Sequence, residues 1–444
     1  MSFPRYPAYK DSGVEWLGQV PEHWKLDRMK WSTVSRKNGV WGDEAQQDEN
    51  DIPCVRVADF DRQKLHVTLS DPTIRNVLPK DRTGRVLSHG DLLLEKSGGG
   101  ETKPVGCVVI YEDRVPAVCS NFVARVTLAE AMSASYWRYL HFAAYAVRLN
   151  TRSIKQTSGI QNLDDQQYFD ERCVFPPVDD QVKIAAFLDH ETAKIDALIA
   201  EQQRLIELLN EKRQAVISDA VTKGLNPQAA MKSSGVKWLG DVPEHWEVRK
   251  LSQIFSAKKG RSAQQLTKEF CATNPGDFPV YSGQTENMGV MGTWNQYEFD
   301  VGDERVIFTT TVGSGKVMSL RLIGGKFSLS QNCMIIQSKS KLSHTEFFFF
   351  HFEPLFEHQR GLIPQHMQAS FRMEDLYQCR IAVPPAVEQA EIADYLASRI
   401  HRFDDLAADA QRTIDLLQER RSALISAAVT GQIDVRGFMA QVAA

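Results

Sequence analysis

Two long segments of the chain carry apolar residues at alternating intervals of four and three positions, the repeat of a helix that packs along another helix. Neither proline nor glycine interrupts residues 181–221, so the first helix is predicted to be continuous. We predict helices over 179–226 and 386–432, each with seven apolar residues at ten seam positions. The predicted seam positions are Ile184, Leu188, Glu191, Ile195, Leu198, Gln202, Leu205, Leu209, Lys212 and Val216 in the first helix, and Ile392, Leu396, Arg399, Phe403, Leu406, Ala410, Thr413, Leu417, Arg420 and Leu424 in the second.

The chain contains an internal duplication. Residues 12–24 read SGVEWLGQVPEHW and residues 234–246 read SGVKWLGDVPEHW, so eleven of thirteen positions agree. A second match joins PPVDDQVKIAAFLDH, from Pro176, to PPAVEQAEIADYLAS, from Pro384. The blocks between these matches barely resemble each other. Either a shared framework presents two different recognition surfaces, or the loops of a duplicated domain simply drifted.

The two predicted helices are related by the duplication, so we expect them to pack as an antiparallel coiled coil about a pseudo-twofold axis. Their length of about 40 residues is more than one small domain would cover. Charged residues stand at equivalent seam positions, Glu191 with Arg399 and Lys212 with Arg420. Because buried polar residues specify pairing at some cost in stability, these four are predicted to fix the register.

The divergent blocks combine short β-rich runs with one aromatic helix each, which predicts a mixed α/β fold. The predicted domains are residues 1–178 and 227–385, followed by a tail over 433–444. Predicted strands cover 52–57, 92–94, 105–111 and 122–128 in the first domain, and 278–281, 306–311, 317–322 and 333–337 in the second. The aromatic helices are predicted over 134–149 and 345–359.

Composition narrows the class of protein. The 444 residues include 43% apolar and 24% charged residues, which is ordinary for a globular chain, and the net charge is −4. No run of about 18 apolar residues is present, so we expect no membrane span. The seven cysteines include no CxxC pair, and the N-terminus lacks an apolar signal region. A reduced cytoplasmic location is therefore expected, with no metal site.

Sequence motifs of catalysis are not found. The chain has no HExxH, GxSxG, kinase or dinucleotide-binding motif, and the Gly-Ser-Gly-Lys run at 313–316 lacks the spacing of a Walker A loop. We therefore predict a binding protein with no catalytic residue.

Two kinds of polar segment are candidates for contact with nucleic acid. Glycine-bearing turns at 95–103 and 309–316 can bring backbone N–H groups and a lysine to a phosphate. Segments at 152–162 and 361–370 are rich in Gln, Ser and basic groups, which suit base edges. A plain hairpin turn and a solvated loop are the alternative interpretations. The candidate DNA-binding residues are Lys96, Ser97, Gly98, Gly99, Lys103, Arg152, Lys155, Gln156, Gln161, Thr309, Thr310, Ser314, Lys316, Gln365 and His366.

The repeated motifs resemble those of the specificity subunits of type I restriction–modification systems. The resemblance rests on the twin SGVxWLGxVPEHW openings, the twin Pro-Pro-x-x-x-Gln-x-x-Ile-Ala segments and the helix endings Ile-Ser-x-Ala-Val-Thr, and it covers nearly the whole chain. It implies two target-recognition domains, 1–178 and 227–385, that each read one half of a bipartite double-stranded DNA target. The two helices would be spacers that set the distance between the half-sites.

The resemblance also implies partners and cofactors. The partners would be two methyltransferase subunits, which use S-adenosylmethionine, and motor-endonuclease subunits, which use ATP and magnesium. No cofactor is expected in this chain. Two other classes of function stay open at this point: an enzyme associated with a nuclease or methyltransferase, and a coiled-coil adaptor that does not bind DNA.

Overall fold

The computed structural model describes residues 3–157, 159–313, 317–340, 344–364 and 369–438. It divides into two compact units, the first made of residues 1–202 and 412–444 and the second of residues 203–411. Both boundaries fall inside the long helices. Each unit therefore holds one mixed α/β domain, the first half of one long helix and the second half of the other.

The first unit begins with the domain predicted over 1–178. Its helices are α1 (Pro79–Arg82), α2 (Ala134–Ala146) and α3 (Asp165–Phe169), followed by the first long helix, α4 (Val178–Lys223). Its strands are β1 (Tyr9–Asp11), β2 (Gln19–Pro21), β3 (Lys25–Arg28), β4 (Thr33–Asn38), β5 (Asp43–Glu44), β6 (Asp51–Val55), β7 (Phe60–Asp61), β8 (His66–Val67), β9 (Thr73–Asn76), β10 (Leu92–Glu95), β11 (Ser97–Gly98), β12 (Val108–Ile110), β13 (Val118–Cys119), β14 (Val123–Leu128), β15 (Ile154–Thr157), β16 (Ile160–Leu163) and β17 (Arg172–Phe175).

The main sheet of the first unit has the order β4-β14-β10-β12-β8-β7, with β10 antiparallel to both neighbours. Its apolar run Leu92–Leu94 is fully buried, which is typical of a strand covered on both faces. Smaller sheets have the orders β13-β6-β9-β5, β11-β16-β15, β17-β3 and β1-β2.

The second unit repeats this plan in a simpler form. Its main sheet has the order β21-β26-β24-β25-β22-β23, and β20-β27 and β18-β19 form ribbons. Its helices are α5 (Leu251–Ile254), α6 (Lys268–Thr273), α7 (Thr345–Gly361) and α8 (Met373–Gln378), followed by the second long helix, α9 (Ala386–Val429). Its strands are β18 (Met231–Ser233), β19 (Asp241–Pro243), β20 (Glu247–Lys250), β21 (Phe255–Lys258), β22 (Phe278–Tyr281), β23 (Val290–Trp294), β24 (Phe299–Thr310), β25 (Leu320–Leu329), β26 (Cys333–Ser338) and β27 (Arg380–Val383). The predicted mixed α/β class is confirmed.

The seam of the long helices differs from the predicted one at every second position. Leu198 and Leu205 expose 46% and 42% of their surface, whereas Ile199 exposes only 8%. The second helix shows the same shift, since the predicted Thr413 is exposed whereas the next residue, Ile414, is only 4% exposed. Adjacent apolar residues made the phase ambiguous in the sequence, and packing selects the residue one position later.

The residues that pair across the seam also differ from the predicted set. In the first unit Arg421 Nε lies 3.1 Å from Asp196 Oδ1, and in the second Arg213 Nε lies 3.7 Å from Asp404 Oδ1. Both arginines and both aspartates are related by the 208-residue repeat. One ion pair therefore occurs twice, and it joins the two long helices within each unit.

The four charged residues predicted in the seam lie outside its buried positions. Lys212, Arg399 and Arg420 are exposed, and Glu191 pairs with Lys194 of its own helix at 2.8 Å. The prediction that they fix the register is therefore wrong, because the seam passes one residue further on.

Further contacts show that the helices run antiparallel within each unit. In the second unit, a Cβ added to Gly224 would lie 3.0 Å from Glu388 Oε1, so the end of one helix meets the start of the other. In the first unit, Trp24 contacts both the start of the first long helix and the end of the second. Its ring lies 2.9 Å from a Cβ built on Gly431, and its Nε1 donates to Asp180 Oδ2 at 3.2 Å.

The repeated His-Trp pairs fasten each domain to the first turn of a long helix. His23 Nε2 lies 3.1 Å from the same Asp180 oxygen that accepts from Trp24 Nε1, and Trp24 is fully buried. The second unit repeats the arrangement with His245 Nε2 at 2.8 Å and Trp246 Nε1 at 3.0 Å from Glu388 Oε2. Both tryptophans are thus fully buried, and their indole N–H groups also hold the start of the long helix.

The repeated Pro-Pro-x-x-x-Gln motif has a structural explanation. Gln181 Oε1 accepts from the N–H of Ser133, the N-cap of α2, and its Nε2 donates to the Pro176 carbonyl. In the second unit the corresponding contacts join Gln389 to His344 N and Pro384 O. A buried glutamine in each unit therefore fixes the aromatic helix against the long helix.

Within the described part of the chain, no helix is both long and apolar enough to cross a bilayer. All seven cysteines are buried thiols.

Candidate nucleic-acid interface

In the first unit, the two segments predicted to contact DNA lie side by side in one small sheet. β11, from the glycine-bearing turn, pairs with β16, and β16 pairs with β15. Ser97 is opposite Asn162, and Gly98 is opposite Gln161. Segments that are about 60 residues apart in sequence thus form one polar surface.

The second unit brings its two predicted segments together in the same way. Val312 forms an antiparallel bridge with Ser370, and Phe371 N donates to Thr311 O at 2.8 Å. Thr311 N in turn donates to Asn332 O at 2.8 Å. The glycine-bearing turn and the glutamine-rich segment therefore meet at the end of the main sheet in each unit.

Matching hydrogen bonds align the two sites residue by residue. In the first unit Leu163 N donates to Lys96 O, and Lys96 N donates to Phe122 O, both at 2.8 Å. Lys96 is therefore structurally equivalent to Thr311, and the preceding Glu95 is equivalent to Thr310. The two sites share a backbone arrangement and differ in side-chain chemistry, as expected of two surfaces with different specificity.

The predicted cations of the first unit have acidic neighbours. Lys96 Nζ lies 2.9 Å from Asp165 Oδ1 and is 18% exposed, so its charge is largely occupied. Lys155 is 71% exposed and bonds to Asp164, which holds the pKa of that carboxyl below its usual value. Arg152 lies 3.6 Å from Glu15. Lys103 is exposed on the turn.

The polar and glycine residues of the turn mainly shape it. Ser97 Oγ bonds to Asn162 Oδ1 at 2.6 Å, and Gln161 Oε1 accepts from Val105 N at 3.2 Å. Gly98 and Gly99 have φ values of 120° and 65°, which favour glycine. A Cβ on Gly99 would lie 2.6 Å from Val105 N, so no larger residue fits there.

Two residues of the second unit that were predicted to contact DNA are buried in the structure. Thr309 and Thr310 are 0% and 1% exposed at the end of β24, and Thr310 Oγ1 bonds to Ser319 Oγ at 3.1 Å. These hydroxyls belong to the core and offer no surface to DNA, so the prediction that they bind it is wrong. The candidates Ser314, Lys316, Gln365 and His366, and the Gln156 side chain, lie outside the described residues.

Sequence reasoning missed a cavity of about 540 Å³ beside β11 in the first unit. Its walls include Trp41, Phe122 and Ile160, which are 37%, 50% and 52% exposed. Arg56 and Glu95 also line it. Trp41 and Phe122 come from different loops, so no spacing in the sequence signals their proximity.

The family model and the similar proteins all carry descriptions of the same kind. Residues 243–414 match the family model described as type I restriction modification DNA specificity domain. The putative type I restriction enzyme MjaX specificity subunit of Methanocaldococcus jannaschii is 22% identical over 437 residues, covering 95% of this chain and 96% of that protein. The putative type I specificity subunit S.MpnORF615P of Mycoplasma pneumoniae is 28% identical over 55% of this chain and 88% of that protein.

Solved structures share the fold at low identity. A chain from a study of complex assembly and conformational transition of the type I R-M system has a TM-score of 0.69 at 13% identity, covering 92% of this chain and 98% of that chain. The HsdS subunit from Thermoanaerobacter tengcongensis has a TM-score of 0.50 at 13% identity, covering 93% and 98%. The fold of two sheet domains with two long helices is therefore shared.

Proposed function

This chain belongs to the specificity subunits of type I restriction–modification systems, and from that premise we propose that it recognises a bipartite target in double-stranded DNA. The observation that carries the proposal is the repeated interface. In each unit a glycine-bearing turn and a glutamine-rich segment meet at the end of the main sheet. The backbone arrangement is alike while the side chains differ, which suits two half-sites of different sequence.

The two alternative functions have less support. The relatives described above are named specificity subunits, and we propose that this chain likewise contributes recognition while chemistry belongs to its partners. S-adenosylmethionine would then be bound by methyltransferase subunits, and ATP and magnesium by restriction subunits. An adaptor without DNA binding would have no need for two different surfaces on one repeated frame.

Exchange of one domain tests the proposal. Residues 25–175 are replaced by the corresponding block of another specificity subunit, and methylated sites are mapped over a whole genome. We expect one half of the methylated motif to change and the other half to keep its bases. Exchange of residues 247–383 is the matched control and should alter only the other half. A change of both halves in either variant would contradict independent reading.

We propose that the long helices also bind the methyltransferase subunits, one on each repeat. Leu198 and Leu406 are equivalent in the repeat and are 46% and 51% exposed, and Leu208 and Leu416 are equivalent and are 45% and 66% exposed. Exposed leucines at matching positions suit two copies of one partner.

Charge introduced at these leucines tests that partner surface. The double variant Leu198→Asp with Leu406→Asp should fold normally but no longer copurify with the methyltransferase subunit. Val147→Asp is the control, because Val147 is equally exposed at 48% and lies off the long helices. Full copurification of the double variant would remove these leucines from the interface.

A further inference from the structure

The cavity beside β11 combines apolar walls with one buried carboxyl group. Trp41, Phe122 and Ile160 are each at least one third exposed, although they are large and apolar. Ser97, Gly98 and Ile160 belong to the strands that form the candidate interface, and all three line the cavity. The cavity therefore opens beside the surface proposed to meet DNA.

The carboxyl group belongs to Glu95, which is 1% exposed. Its Oε1 accepts from Arg62 Nη2 at 2.8 Å, while its Oε2 is buried without a hydrogen-bond partner among the described residues. Burial raises the pKa of Glu95, and the Arg62 guanidinium acts in the opposite direction. Because a buried oxygen without a hydrogen-bond donor destabilises the structure, this acceptor is suited to a donor supplied by a ligand.

The matching position in the second unit has no such group. Thr310 takes the place of Glu95, and its hydroxyl already bonds to Ser319. The carboxyl group is therefore particular to the first unit and is not required by the shared framework.

We propose that this cavity takes up one base that has left the DNA helix, and that this base carries an exocyclic amino group. The inference rests on the proposed function, since it names how the first domain reads one position of its half-site. Aromatic side chains stack on bases of any kind. A carboxylate accepts from the exocyclic amino group of cytosine, adenine or guanine, whereas thymine has no such donor. Proteins that bind an extruded base hold it by stacking and by hydrogen bonds to its edge.

The test uses the complex with its methyltransferase subunits and a target defined by methylation mapping. A series of duplexes carries one abasic position each through the half-site read by the first domain. Wild type, Phe122→Ala and Glu95→Gln are compared on the intact duplex and on the whole series. Val115→Ala is the matched control, since Val115 is an exposed apolar residue at 47% that does not line the cavity. Melting temperatures verify that the variants are folded.

We expect Phe122→Ala and Glu95→Gln to bind the intact duplex at least about tenfold more weakly than wild type. At one abasic position the three proteins should bind alike, because the base that distinguishes them is missing. A 2-aminopurine placed next to that position should also brighten on binding, as its neighbour leaves the stack. Val115→Ala should match wild type throughout.

Three outcomes would overturn the inference. Unchanged, sequence-specific binding by both variants would remove the cavity from recognition and leave the proposed function intact. Equal losses on the intact and all abasic duplexes would show that no single base enters it. Binding of free deoxycytidine, deoxyadenosine or deoxyguanosine in equilibrium dialysis, lost in Phe122→Ala but without any abasic dependence, would assign the cavity to a free nucleoside. If wild type itself had no sequence preference, the proposed function would fail first.

Discussion

At the scale of single residues, one histidine joins three elements of the second unit. His351 of α7 is fully buried, its Nδ1 lies 3.1 Å from Val221 O at the end of the first long helix, and its Nε2 accepts from Ala382 N in β27. Both ring nitrogens are engaged only when the ring is neutral. Burial accordingly lowers the pKa of His351 to about 3.

This depressed pKa predicts a loss of stability in acid. The unfolded chain binds a proton at this histidine near pH 6.5, whereas the folded chain binds it only near pH 3, so the contribution is complete above pH 6.5 and declines as the pH falls. Within that window it amounts to about 1.4 kcal/mol per pH unit. His351→Gln should make the free energy of unfolding depend less steeply on pH between 6 and 4, measured by urea titration. His401→Gln, at an exposed position of the second long helix, is the control for the substitution itself.

Residue identity alone could not assign the candidate contacts. Lys96 belongs to the segment predicted as a glycine-bearing turn, but its pairing with Asp165 depends on a helix far along the sequence. Thr309 and Thr310 lie where the predicted strand 306–311 overlaps the predicted turn 309–316, and in the structure they end a buried strand. Glu95 begins the predicted turn at 95–103, and its unsatisfied oxygen follows from burial, which the sequence does not show.

At the scale of elements, the four longest helices and eight of the strands could be predicted because their apolar patterns are long or strictly bounded, whereas the short helices and the short edge strands could not. The helix predicted over 179–226 runs from Val178 to Lys223, and the strand predicted over 278–281 is Phe278–Tyr281. The phase of the seam could not be predicted, because Leu198 and Ile199 offer equal apolar area. Packing of the two helices against each other selects Ile199, which is 8% exposed, and leaves Leu198 46% exposed.

The repeated ion pair yields a prediction for the first unit. Arg421 is 6% exposed and Asp196 15%, and removal of one partner leaves the other charge buried. We expect Arg421→Ala to lower the free energy of unfolding by about 3 kcal/mol. Arg420→Ala, one residue earlier in the originally predicted seam, is exposed and should change it by less than about 0.5 kcal/mol. Equal losses in thermal or urea unfolding would contradict the observed phase.

At the scale of the whole molecule, we propose that the long helices act as spacers between the two half-sites, so that helix length and target spacing are interdependent. Seven residues inserted after Gln202 and seven after Gln411 preserve the seam repeat and both ion pairs. Each helix then gains about 10 Å, equal to about three base pairs of rise. We expect both half-sites to keep their bases and the unread gap to lengthen by about three base pairs. Methylation should be weaker, because three base pairs also turn the groove by about 100°.

Genome-wide mapping of methylated motifs gives the measurement, with insertion into one helix alone as the control that destroys the register. An unchanged gap in a stable and active double insertion would show that the helices do not set the spacing.

The chain segments that make up the two units determine the order in which the units can fold during synthesis. The second unit is one continuous stretch, residues 203–411, whereas the first needs residues 412–438, which supply contacts such as Asp434 N to Pro4 O and Phe438 to Phe187. A ribosome adds about 5–20 residues per second, so the N-terminal domain waits many seconds for its last helical segment. The second unit is therefore the first that can be completed, although its domain is translated later. In nascent chains stalled soon after residue 411 has left the ribosome, the second unit should resist protease while the first unit is still cleaved.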